Sequence, residues 1–173
     1  LQKGDHSRCT RLGLQVAPET EFDDIRRGVE QENLRCEVRN DPVPGIAKMV
    51  TFDDPKGTAI DVFATQTPIG TNQAVPGIGP LKLGHLAFCV SEPKDFVEFY
   101  TRVLGFRVSD WMGDHFSFLR CGTDHHTINL MQTPEDRHFH TAFELRDWGH
   151  MLTACDYLSL NGYKLLWGPG RHG

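Results

Sequence analysis

The chain has 173 residues, 39% hydrophobic, 24% charged and 10% aromatic, which excludes a disordered or fibrous chain and allows one ordinary domain or two small ones. Eighteen basic against 23 acidic residues give a net charge of −5 without charge blocks; this argues against nucleic acid or an anionic membrane as a partner, since both select a basic face. The longest uncharged, mainly apolar stretch is residues 83–90, far short of the ~20 residues of a membrane span.

In chain order, residues 11–16 read as a strand, followed by a helix that runs to Asn33-Leu34. Residues 52–63 read as a hairpin whose Asp54-Pro55-Lys56-Gly57 turn returns into a strand carrying Asp61. Three prolines and three glycines in residues 68–80 make a linker by composition. The expected organisation is an N-terminal domain over 1–67, a connection over 68–82 and a C-terminal domain over 83–173.

Residues 83–90 form the next expected strand, with His85, Ala87 and Cys89 on one face. Ser91 is the expected N-cap of a helix with Pro93 in its first turn, apolar positions Phe96, Val97, Tyr100, Val103 and Leu104, and a stop at Gly105. Strands are expected at 106–110, 116–120 and 127–131, then at 138–145. Asp147 caps a further helix with apolar positions Met151, Leu152, Cys155 and Leu158, ended by Gly162, and 163–167 starts another strand.

The elements repeat. H-x-A-F occurs at His85 and His140, 55 residues apart, each time opening a β-α unit. Residues 11–16 align with 140–145 at an offset of 129 that holds without a gap through the helix. The sequence therefore predicts an α+β fold of paired βαβββ modules in two domains. Asp61 follows Arg11 by 50 residues, so the same register puts a carboxylate near position ~190. The chain opens without Met and without the order of a secretory signal, and it is expected to be incomplete at both ends.

Nine histidines are the compositional excess, and imidazole is the commonest metal ligand and the usual proton carrier near neutral pH. His85 and His140, at matched repeat positions beside the small residues Ala87 and Ala142, suit two neutral-imidazole ligands of one metal. With a carboxylate they make the 2-His-1-carboxylate set of Fe(II) oxygen chemistry. In the N-terminal domain Arg11 stands in the ligand position, and a guanidinium cannot coordinate a cation; that domain reads as structural. His6, His115 and His150 read as surface residues, and His138 as a strand-end residue.

Five stretches carry a family resemblance: Leu83-Gly84-His85-Leu86-Ala87-Phe88; F-Y-x-x-x-L-G-F at 99–106; 118–127 with Asp124-His125-His126-Thr127; His140-Thr141-Ala142-Phe143; and Gly168-Pro169-Gly170-Arg171-His172. Together they resemble the vicinal oxygen chelate superfamily, and within it the two-domain extradiol catechol dioxygenases, over nearly the whole chain. The resemblance implies that His85 and His140 ligate Fe(II), with Mn(II) as the alternative ion. It implies that His125 is the acid/base residue and His172 the group that hydrogen-bonds the bound catecholate. A catechol-type small molecule and O2 are the expected partners, with a muconic semialdehyde-type product and a homo-oligomeric assembly. Five cysteines with no C-x-x-C pair fit a reducing compartment, and a cytoplasmic location is expected.

Two other readings share the fold. One is a glyoxalase-like or epoxide-opening enzyme using Zn, Ni or Mn, which has no use for proton carriers at His125 and His172. The other is a non-catalytic binder of the bleomycin-sequestering kind, which has no reason to hold His85 and His140 in register.

Overall fold

The structure is a computed structural model that describes residues 5–68, 70 and 77–170. The first βαβββ module comprises β1 (Arg11–Gln15), α1 (Phe22–Gln31), β2 (Cys36–Val43), β3 (Ile46–Asp53) and β4 (Ala59–Phe63). Its sheet runs β1-β4-β3-β2, with β1 parallel to β4 and the other pairs antiparallel. The second module repeats the plan with β5 (Lys82–Val90), α2 (Pro93–Leu104), β6 (Arg107–Met112), β7 (Phe116–Arg120) and β8 (Ile128–Gln132). Here β5 is parallel to β8, and β9 (Arg137–Glu144) completes the order β6-β7-β8-β5-β9 before α3 (Trp148–Leu160). The α+β reading and the paired modules stand.

By contacts the chain divides into a larger unit, Leu1–Gly70 with Leu86–His140, and a smaller one, Thr71–His85 with Thr141–Gly173. The larger unit holds a core to which both modules contribute. Val29 of α1, Val50 and Phe52 of β3, and Ile60 and Val62 of β4 cluster with Phe88, Phe96, Phe99, Tyr100, Leu119, Ile128 and Leu130. In α2 the buried positions Phe96, Phe99, Tyr100 and Val103 fall on one face at helical spacing. Phe99 meets Phe52 edge-on at 6.3 Å, and Tyr100 meets Phe106 at 5.4 Å.

The F-Y-x-x-x-L-G-F motif has a structural cause. Gly105 sits at φ +68°, in the left-handed region, and its N–H donates to the Tyr100 carbonyl. The turn then folds Phe106 against Tyr100. Only glycine takes that backbone without a steric cost. Gly105→Ala is expected to lower stability by about 1–2 kcal/mol, read from chemical denaturation; an unchanged midpoint would show that the turn relaxes.

Ser91 is not the N-cap of α2. Glu92 holds that position without a side-chain bond, and the Ser91 N–H instead donates to Asp136 Oδ1 at 2.8 Å. Pro93 opens the first turn, where a missing N–H costs nothing.

In the smaller unit the Leu81 N–H donates to the Glu144 carbonyl at 2.8 Å, Lys82 pairs with Glu144 at 3.2 Å, and Gly84 lies against the Ala142 backbone. Asp147 caps α3 as expected, accepting from the His150 N–H at 2.8 Å. The inward face of α3 is Met151, Ala154, Cys155 and Leu158, while Leu152 is exposed; Ala154 supplies the i+3 position that the bulkier Leu152 was expected to share. His150 is not a surface residue. Its Nδ1 accepts from the Arg146 N–H at 3.2 Å, so Nε2 carries the proton and donates to the Ile78 carbonyl at 2.6 Å.

Residues 163–167 form no strand, and Tyr163, Leu165, Leu166 and Trp167 are exposed. A strand exists only when paired. The equivalent β2 is held by β3, and among the described residues nothing pairs with 163–167. No helix of the described residues is long and apolar enough to cross a membrane.

Candidate functional site

The structure places the four sequence-derived site residues as follows. His140 lies on β9 in the larger unit and is half-buried. His85 lies on β5 in the smaller unit and is buried. His125 is in the turn before β8 in the larger unit. His172 is outside the described residues.

His125 and His126 form a pair. Their Nδ1 atoms are 3.0 Å apart, so one nitrogen donates and the other accepts, and the two rings cannot share a tautomer. Both rings meet Phe118 edge-on, with centroids at 5.6 and 5.2 Å, which fixes their orientation from below. His125 is the exposed ring and His126 the half-buried one. The Thr127 N–H donates to the Leu119 carbonyl at 2.7 Å and anchors the turn to β7. On β9, burial pushes the His138 imidazole below its ordinary pKa, and its ring stands edge-on to Phe88 at 5.8 Å.

The first module shows what the repeat does at the positions related to His140 and to the residue 50 places on. β1 and β4 are parallel neighbours, with Gly13 opposite Asp61. Arg11 Nη1 consequently reaches both carboxylate oxygens of Asp61, at 2.7 and 2.5 Å, and Thr51 Oγ1 donates to Oδ1 at 2.8 Å. The structure gives Asp61 a guanidinium where the related position of the second module carries an imidazole. The Asp61 side chain is 8% exposed and the Arg11 side chain 54%. Water screens the cation, so the pair's worth lies in keeping a buried carboxylate hydrogen-bonded. Arg11→Ala is expected to cost about 1–2 kcal/mol in a denaturation series, whereas a cost near zero would mean that Thr51 and water satisfy Asp61 unaided.

A second polar cluster escaped the sequence reading. In the Asp-Pro-Lys-Gly turn between β3 and β4, the Asp54 carboxylate is fully buried. It accepts from the Lys56 N–H at 3.1 Å, the Thr58 N–H at 2.8 Å and the Tyr100 hydroxyl at 2.9 Å, and it pairs with the Lys56 ammonium. That ammonium also lies 4.4 Å from the Phe88 ring centroid. Burial pushes the Lys56 pKa down to about 8, against the opposing pull of Cys9 and Asp136. Burial, and then the nearby Cys9, push the Tyr100 hydroxyl up, so it stays a hydrogen-bond donor at neutral pH. The signal available in sequence was the Asp-Pro-x-Gly turn alone; Tyr100 lies 46 residues away.

Among the described residues, no group of three His, Cys, Asp or Glu side chains is assembled to hold a metal ion. The two repeat histidines offer imidazole nitrogen, a donor that suits Fe and Zn.

Comparison with known proteins bears on which chemistry this scaffold carries. The chain is 30% identical over 111 residues to the biphenyl-2,3-diol 1,2-dioxygenase of Paraburkholderia xenovorans, a match covering 56% of the chain and 37% of that protein. The Mn(II)-bound glyoxalase of Novosphingobium aromaticivorans superposes with a TM-score of 0.83 at 29% identity, covering 99% of the chain and 57% of that structure. The 2,3-dioxygenase LapB of Pseudomonas sp. KL28 superposes at 0.81 with 24% identity, covering 98% of the chain and 66% of that structure, and shows the same fold. The chain thus spans between about a third and two thirds of the length of these relatives. The sequence model of the Glyoxalase/Bleomycin resistance protein/Dioxygenase superfamily matches residues 82–173, and the chain belongs to that superfamily.

Proposed function

We propose that the protein is an extradiol ring-cleaving dioxygenase that opens a catechol-type ring with O2, using Fe(II), to a muconic semialdehyde-type acid. The observation that carries this reading is the recurrence of H-x-A-F at His85 and His140 in a chain 30% identical over 111 residues to a protein named biphenyl-2,3-diol 1,2-dioxygenase. His85 and His140 are proposed as two metal ligands. In donor chemistry each ring fits such an ion, although among the described residues no group of three His, Cys, Asp or Glu side chains is assembled. The Arg11–Asp61 contact supports a carboxylate as third ligand, because it brings residue i and residue i+50 of the repeat within hydrogen-bond distance. Bound Fe(II) supplies charge that favours loss of a phenolic proton from a chelating diol, and an open position for O2.

The chain's own contribution is proton handling. To accept a proton at Nε2, neutral His125 must carry its hydrogen on Nδ1. That N–H then donates to His126 Nδ1, and His126 holds its own hydrogen on Nε2. In that arrangement the pair holds the tautomer in which His125 Nε2 is the basic atom. Phe118 beneath both rings limits their rotation. His172 is proposed to hold a substrate oxygen. The five free thiols support a cytoplasmic location, and a homo-oligomer is the proposed assembly.

The glyoxalase-like reading, a divalent-metal lyase or isomerase, is favoured by the 0.83 superposition on a Mn(II)-bound glyoxalase. One assay separates the two. The protein is purified anaerobically, loaded with Fe(II) and given mono- and bicyclic catechols with O2. A yellow ring-fission product is expected. Bound iron with no colour across the series would remove the dioxygenase reading and leave the lyase.

A further inference from the structure

The larger unit contains a cavity of about 140 Å³ that the proposed chemistry does not use, walled by residues of the segment before β1, the β3–β4 turn, β5 and the start of β9. Its size is well below the roughly 300–1,000 Å³ of pockets that enclose drug-sized ligands, so it suits an occupant of only a few heavy atoms. Three cationic side chains, Arg8, Lys56 and Arg137, line it beside one carboxylate, Asp136.

Two hydrogen bonds tie the segment before β1 to the start of β9. The His138 N–H donates to the Ser7 carbonyl and Ser7 Oγ donates to the His138 carbonyl, both at 3.1 Å. Arg8 and Arg137, each adjacent in sequence to one of these tied residues, both line the cavity. Lys56, with its side chain 6% exposed, lies deeper.

Two carboxylates lie nearby, and among the described residues neither is paired with an arginine. Asp54 is spent on Lys56, Tyr100 and the turn. Asp136 lines the cavity, but its Oδ1 accepts from the Ser91 N–H. Among the described residues neither Arg8 nor Arg137 has an acidic partner, and Arg137 only leans on the Phe139 ring. A bound oxyanion would give both guanidinium groups the acidic partner that the described residues do not supply. Two guanidinium forks beside a pocket match the planar or tetrahedral oxygens of a carboxylate or phosphate.

We propose that this cavity is a binding site for a small oxyanion, gripped by Arg8 and Arg137 above the Lys56 ammonium. The ligand class is a short carboxylate or inorganic phosphate. Catechols, uncharged at neutral pH and larger, do not belong to it.

The test is calorimetric titration of the protein with acetate and, separately, with inorganic phosphate, at low ionic strength, with chloride as the control for screening. Saturable binding of one anion per chain is expected. Arg8→Gln and Arg137→Gln, both exposed positions, should each weaken it about tenfold or more, the worth of one charge-assisted hydrogen bond, while thermal midpoints without anion stay at the wild-type value. Tighter acetate identifies a carboxylate site, and tighter phosphate a phosphate site. Heats no greater than those of chloride, or saturable binding that both variants retain in full, would overturn the proposal.

Discussion

Asp54→Ala is expected to destabilise the larger unit by about 3–5 kcal/mol, the cost of leaving a buried ion without its partner. Asp54 accepts two backbone N–H groups, those of Lys56 and Thr58, and so shapes the loop that joins β3 to β4. The same carboxylate takes the Tyr100 hydroxyl from α2 and neutralises the Lys56 ammonium. Removing it leaves an ammonium enclosed by Phe88, Phe96 and Tyr100, together with a buried phenol lacking an acceptor. Tyr100→Phe isolates one part of this network and should cost about 1 kcal/mol. The double variant Asp54→Ala/Lys56→Met removes both charges and should recover part of the loss, since breaking an ion pair costs more than deleting it. Urea denaturation of the four proteins checks the set. A loss below about 1 kcal/mol for Asp54→Ala would mean that Lys56 turns out to solvent once unpaired.

His125→Asn is expected to lower ring-cleavage turnover by roughly 10²–10⁴, the contribution of a positioned acid/base group, while metal content and substrate binding stay at wild-type levels. Asparagine keeps a polar side chain of similar reach but cannot gain and lose a proton near neutral pH. The tautomer argument adds a second readout. His126→Phe keeps the edge contact with Phe118 but removes the Nδ1 acceptor; the loss should be smaller, because Nε2 of His125 is then basic in only part of the molecules. The pH profile of kcat/KM should change in the same variant. Full turnover in His125→Asn would take His125 out of the mechanism, and equal losses with altered metal content would make its role structural.

The contrast between these two sites shows what the chain disclosed in advance. The modules were legible because their signals are local and repeated. Gly105 ends α2, Asp147 caps α3, the Asp-Pro-x-Gly turn closes β3 onto β4, and an offset of 129 runs through strand and helix without a gap. Features set by distant partners were not legible. Ser91 looks like a cap until Asp136 takes its N–H from 45 residues away, and residues 163–167 have strand composition but no partner among the described residues.

His150 looked solvent-facing because nothing nearby needed it; its acceptor, Ile78, lies 72 residues earlier. The Arg11–Asp61 pair was half visible: the repeat marked both positions, and only the parallel register of β1 and β4 joined them. His85 and His140 were legible for another reason: a recurring motif marks equivalent places on a repeated strand, and their role as metal ligands is a proposal.

Oxygen uptake tests the central claim most directly. With Fe(II)-loaded protein in an oxygen electrode, a measured amount of catechol or biphenyl-2,3-diol is expected to draw one O2 per diol consumed, without hydrogen peroxide and in step with the yellow product. Diol consumed without O2 uptake, or O2 returned as peroxide with the ring intact, would contradict it.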